Sequence, residues 1–118
     1  MTQASAPQVH DLNEMIICQP GSVVSRTVVR RETGTITFFA FDEGQGLPEH
    51  VVPYDAIIYL THGSMDILVE DTDPIPCQGG EMAYMPAHVP HAVVAREPSK
   101  MFLIMLRSRE EQPETAAD

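Results

Sequence analysis

Short runs in which apolar and polar residues alternate fill most of this chain, and glycine, proline and aspartate separate them. The runs are rich in β-branched and aromatic residues, which favour strands. No long segment has the 3.6-residue period of an amphipathic helix. The pattern predicts strands at 22–30, 35–41, 56–61, 65–70, 80–86, 91–96 and 101–107.

The segments between these runs have the composition of turns, as in DEGQGLP at 42–48 and DTDPIP at 71–76. Seven to nine short antiparallel strands at this spacing predict an all-β barrel or sandwich. The pattern divides the chain into an N-terminal arm at 1–18 with one helical turn, a barrel domain at 19–108 and a disordered tail at 109–118.

Composition narrows the range of partners. With 118 residues, of which 43% are hydrophobic, the chain has material for one core. Its net charge is -10, and Lys100 is the only lysine among seven basic residues. No basic stripe is present to neutralise phosphates, so we expect neither nucleic acid nor an anionic membrane as a partner. Without a leader or a membrane-spanning run, the sequence predicts a cytoplasmic protein with Cys18 and Cys77 as reduced thiols.

The segment YMPAHVPHAV at 84–93 contains two histidines three positions apart. On a helix His88 and His91 would share a face, but Pro86 and Pro90 disfavour a helix at this point. The segment is therefore predicted to be a turn that leads into a strand, with His91 at the start of that strand.

These residues also carry a family resemblance. GGEMAYMPAHVPH at 79–91 resembles the second signature of the cupin superfamily, with Gly80, Pro86 and His91 in register. HVVPYDAIIYLTHG at 50–63 resembles the first signature, aligned without gaps. The resemblance implies a small single-domain jelly-roll barrel (a double-stranded β-helix) of the RmlC-like, cupin type-2 kind. In this fold the two signatures form facing strands at the mouth of the barrel.

The resemblance also implies a metal site, but this sequence lacks some of the residues that bind the metal in the family. In metal-binding cupins the first signature supplies two histidines and a glutamate, and the second supplies one histidine. His50 and His91 match the first and last of these positions, whereas Val52 and Ala56 stand at the other two. Two imidazoles alone seldom hold a transition metal.

A third ligand would have to come from nearby in the sequence, and the candidates are His88, Asp55 and Glu49. With such a ligand, the site would hold one divalent transition metal, namely zinc, nickel, manganese or iron. Without it, the site would hold no metal cofactor.

Two functions are consistent with this sequence, and they differ on whether the protein is an enzyme. In the first, a small molecule binds in an apolar pocket at the barrel mouth, with His50 and His91 as polar anchors and Val52, Ala56 and Tyr84 around it. In the second, His50 and His91 hold the metal of an isomerase or dioxygenase. The superfamily hosts both kinds of protein, so the fold does not choose between them.

A homodimer is also predicted. The runs AIIYL and MFLIML are apolar on both faces, so both faces of these strands should be covered. A small barrel covers only the inner face by itself, whereas a two-fold dimer covers the outer face as well.

Overall fold

A computed structural model describes residues 6–107 of the chain. These residues form one short helix and nine antiparallel strands. The elements are α1 (Leu12–Met15), β1 (Val23–Arg31), β2 (Gly34–Phe41), β3 (Gly46–His50), β4 (Tyr54–His62), β5 (Ser64–Val69), β6 (Ile75–Gln78), β7 (Met82–Met85), β8 (His91–Ala95) and β9 (Ser99–Arg107).

The predicted all-β antiparallel fold is confirmed, and each of the seven predicted runs overlaps one strand. Two further strands, β3 and β6, begin in segments that the sequence pattern assigned to turns. Both contain a proline, which is found mainly at sheet edges and bulges. The structure places both at the edges of one sheet. The predicted tail at 109–118 lies outside the described residues.

The strands form a jelly-roll barrel of two sheets. One sheet has the order β1-β2-β9-β4-β7 and the other has the order β3-β8-β5-β6. Side chains alternate between the two faces of each strand, so every second residue points into the barrel. The buried interior is mainly aliphatic and thioether side chains, with Phe41, Leu60, Met65, Ile67 and Met101 almost inaccessible to solvent.

The described part of the N-terminal arm covers part of the outer face of the larger sheet. Ile16, Phe38 and Ala40 form a second buried cluster there, separate from the barrel interior. The ring of Phe38 stacks on that of Phe102 with centroids 4.3 Å apart. In the arm, the side chain of Asp11 caps α1 by accepting a hydrogen bond from the Asn13 amide at 3.0 Å. The barrel thus has an inner core and an outer one.

Strand β3 approaches β8 very closely at its first residue. A Cβ atom added to Gly46 would overlap the carbonyl oxygen of Val93 and lie 2.9 Å from the backbone carbons of Val93 and Val94. The residues before it hold the strands together, because Gly44 donates to Ala95 and Ala95 donates to Gln45, each at 2.8 Å. Only glycine permits this approach, which fixes the position of the strand that carries His50.

No helix in residues 6–107 has the length and the apolar composition that crossing a membrane requires.

Candidate functional site

His50 and His91 lie side by side at the mouth of the barrel. They are paired residues on the adjacent strands β3 and β8. Their ring centroids are 4.9 Å apart, and the ring planes are tilted by 56°. His91 points inward and is 4% exposed, whereas His50 is half-buried. The two histidines that the sequence analysis selected are therefore neighbours in space.

Hydrogen bonds to the backbone orient both rings. Nδ1 of His50 is 2.9 Å from the carbonyl oxygen of Pro48, and Nδ1 of His91 is 3.1 Å from that of Val89. A carbonyl oxygen only accepts, so each Nδ1 carries the hydrogen and donates it. In the neutral ring, each Nε2 then has a free lone pair that can accept a hydrogen bond or bind a metal.

A hollow that is partly open to solvent lies beside the two rings, with about 220 Å³ of space when the open solvent is included. Apart from the histidines, its lining is apolar and comes from both sheets. The lining residues are Leu47, His50, Ile58, His91, Ala92, Val93, Met101 and Leu103.

Three of the five residues expected in the pocket are not among those that line this hollow. Ala56 is 1% exposed and is paired with Met85 and Met105, so it lies in the packed interior. Tyr84 is 59% exposed, because it precedes the inward-pointing Met85 and therefore points outward. Val52 is half-buried in the segment between β3 and β4.

The candidates for a third metal ligand do not gather around the histidine pair. Asp55 accepts hydrogen bonds from the Ala87 amide at 3.0 Å and from the Tyr84 hydroxyl at 3.3 Å. His88 is exposed on the turn with a φ of 70°, and Glu49 is exposed as well. Within residues 6–107, no group of three histidine, cysteine, aspartate or glutamate side chains is arranged to hold a metal ion. The described residues do not form the three-ligand set that a divalent metal requires.

Sequence reasoning missed most of the apolar lining. Ile58, Met101 and Leu103 belong to predicted strands, and the alternation of buried and exposed positions places them on the inner face. Leu47 had no such signal, because it lies in β3, where glycine, proline and glutamate interrupt the alternation.

Two ionisable groups outside the hollow have displaced pKa values with clear causes. Hydrogen bonds from the amides of Gly21 and Glu43, at 2.6 and 2.8 Å, lower the pKa of Asp42. Burial, reinforced by the charge of Glu81, raises the pKa of the Cys77 thiol. The carboxylate of Asp42 thus stabilises a turn. Cys77 packs in the core as an uncharged thiol.

Comparisons with known proteins show which solved structures share this architecture. No protein-family model matches the sequence, and no curated protein matches it either. Solved structures do match. A conserved protein of unknown function from Streptococcus pyogenes is 29% identical, with a TM-score of 0.81 over 92% of this chain and 95% of that one.

Two further solved structures resemble it and are described as cupins. A cupin superfamily protein from Desulfitobacterium hafniense is 23% identical, with a TM-score of 0.78 over 90% of this chain and 98% of that one. A cupin 2 conserved barrel domain protein from Leptotrichia buccalis is 34% identical, with a TM-score of 0.74. That alignment covers 79% of this chain and 45% of that one.

Proposed function

We propose that this chain, whose jelly-roll barrel is of the cupin, RmlC-like type, binds a small molecule in the hollow beside His50 and His91. One observation carries this proposal: among the described residues that line the apolar hollow, only the two adjacent imidazoles have polar side chains. Ligand sites commonly combine apolar walls with a few polar groups that orient the ligand.

The second candidate is a metal-dependent enzyme with His50 and His91 as ligands. The tautomer of both rings favours it, since Nδ1 donates to a carbonyl and Nε2 is left free, as in many metal sites. The ligand set weighs against it, because Ala56 is packed in the core and Asp55 is occupied elsewhere. We therefore rank binding without a metal first.

Elemental analysis together with ligand screening separates the two functions. Protein purified without chelator should contain far less than one equivalent of transition metal, also after incubation with zinc, nickel or manganese. Small neutral molecules should raise its melting temperature, because a ligand that binds only the folded state stabilises it. Close to one equivalent of metal, lost in both His50→Ala and His91→Ala, would instead support the enzyme.

A matched pair of variants locates the binding site. Val93 lines the hollow, whereas Val94, next to it on β8, points to the opposite face. Val93→Leu fills part of the hollow and should weaken the binding of every screening hit roughly tenfold, in line with the cost of a steric mismatch. Val94→Leu should leave the affinities unchanged. Equal affinities in both variants would place the binding site elsewhere.

We also propose that the protein forms a homodimer through the outer face of β9, β4 and β7. The N-terminal arm covers the neighbouring part of this sheet but leaves a patch of exposed side chains. Tyr59, Met82, Tyr84 and Leu106 in this patch are 42%, 62%, 59% and 47% exposed. Two copies of a chain with a net charge of -10 repel each other, so they can approach most closely where the exposed side chains, like these four, carry no charge.

Light scattering tests the dimer. We expect twice the chain mass of 13.0 kDa at tens of micromolar. Met82→Glu places a charge in the patch and should produce monomers, because a desolvated, unpaired carboxylate is costly in an interface. Ile75→Glu on the other sheet, at a residue that is 45% exposed, is the control and should remain dimeric. A monomeric wild-type protein would contradict the proposal.

A further inference from the structure

His91 has a buried hydrogen-bond acceptor that the described residues leave without a partner. The residue is 4% exposed, and its Nδ1–H is used by the carbonyl of Val89. Among residues 6–107 no hydrogen bond reaches its Nε2 atom. Buried polar atoms in folded proteins nearly always have a partner, so an unpaired one beside a hollow indicates that something else occupies that position.

His50 cannot be this partner while both rings are neutral. Its Nδ1–H donates to the carbonyl of Pro48, so its Nε2 is also an acceptor. Two acceptors do not bond to each other, although the rings are only 4.9 Å apart. With the metal-free binding proposed above, the missing group is therefore a hydrogen-bond donor, and the neighbouring ring of His50 offers it a second acceptor.

The rest of the lining restricts the ligand further. Leucine, isoleucine, alanine, valine and methionine side chains form it, so it contains no cation for a phosphate or carboxylate and no anion for an amine. The space of about 220 Å³ includes open solvent, so the hollow itself holds only a small group and the rest of a ligand would extend towards solvent. An uncharged molecule of about one ring that remains partly exposed fits these limits.

We infer that the ligand is an uncharged small molecule with an apolar body and a hydroxyl group that donates a hydrogen bond to Nε2 of His91. A second hydroxyl on a neighbouring carbon would reach His50. This inference rests on the proposed binding function and names the chemical class of the ligand. The apolar body contacts Leu47, Ile58 and Val93, while the hydroxyl supplies the donor that the hollow lacks.

Phenol and its methyl ether, anisole, form a matched pair of probes, because they differ in the donor and share the ring. Titrations would be followed by the NMR methyl signals of Ile58, Val93 and Leu103, which line the hollow. We expect phenol to shift these signals with a dissociation constant at least about tenfold below that of anisole, since a buried acceptor left unpaired is costly. Benzoate, an anion without a donor, should bind more weakly than phenol.

Variants assign the preference to His91. His91→Leu should bring the dissociation constants of phenol and anisole to within about twofold of each other. His91→Gln keeps an acceptor oxygen and should restore part of the difference. His62→Leu is the control, because His62 is exposed at the end of β4. It should leave the preference unchanged.

The results separate this inference from the proposed function. Equal binding of phenol and anisole to the wild-type protein, or tighter binding of benzoate, would overturn the ligand class and leave the hollow as a binding site. A preference that persists in a folded His91→Leu variant would also overturn the class, because the donor would then have another partner. If none of the three probes shifts the methyl signals of the lining residues, the hollow does not bind small molecules of this size. The ligand class and the proposed binding function then both fail.

Discussion

Replacing Phe38 by alanine is expected to lower the free energy of unfolding by about 3–5 kcal/mol, the usual cost of removing a buried ring. Phe38 is 0% exposed and is packed between the sheet and the N-terminal arm. Its loss leaves a cavity that the β-sheet backbone cannot close. Chemical denaturation of the wild-type and variant proteins measures the difference.

Phe102→Ala is the matched control for this prediction. Phe102 stacks on the same ring but is only half-buried, so its removal should cost less, about 1–3 kcal/mol. If Phe38→Ala costs less than 1 kcal/mol, the arm does not form a second core against the sheet.

Gly46→Ala is expected to destabilise the protein by about 3 kcal/mol or more, because the new methyl group overlaps the backbone of β8. The overlap is with a carbonyl oxygen and not with a flexible side chain, so β3 has to move. Since β3 carries His50, the movement should also weaken the binding of any ligand in the hollow. Denaturation and NMR titration measure the two effects.

The control for Gly46→Ala lies two residues earlier in the chain. Gly44 has a φ of 84°, and nothing lies within 4 Å of a Cβ atom added to it. Gly44→Ala therefore isolates the backbone cost of a left-handed residue, about 1–2 kcal/mol. Equal effects of the two substitutions would show that the close contact between β3 and β8 is not important for stability.

The alternation of apolar and polar residues predicted much of this fold, because most strands have one face in the interior and one towards solvent. It failed at β3, where Gly46 and Pro48 give a turn-like composition to a strand. The structure of β3 depends on the close contact between its backbone and that of β8. The alternation of apolar and polar side chains carries no information about such a contact. The family resemblance nevertheless selected His50 in that strand and paired it with His91.

The candidate site was predictable only in part. The histidine pair follows from the two signatures, but the lining depends on which face each strand turns inward. Ala56 and Tyr84 show the difficulty, since one is packed in the core and the other faces outward. The outer cluster was not predictable either, because the arm residue Ile16 lies far from Phe38 in the sequence and only the folded chain brings them together.

The order of the strands has a consequence for how the protein is made. The last strand, β9, lies in the middle of its sheet between β2 and β4. It follows all the other described strands in the sequence, so β2 and β4 cannot be joined until β9 has left the ribosome. Until then each offers an unpaired strand edge to other chains. The larger sheet therefore closes late in folding, and its unpaired edges favour aggregation until then.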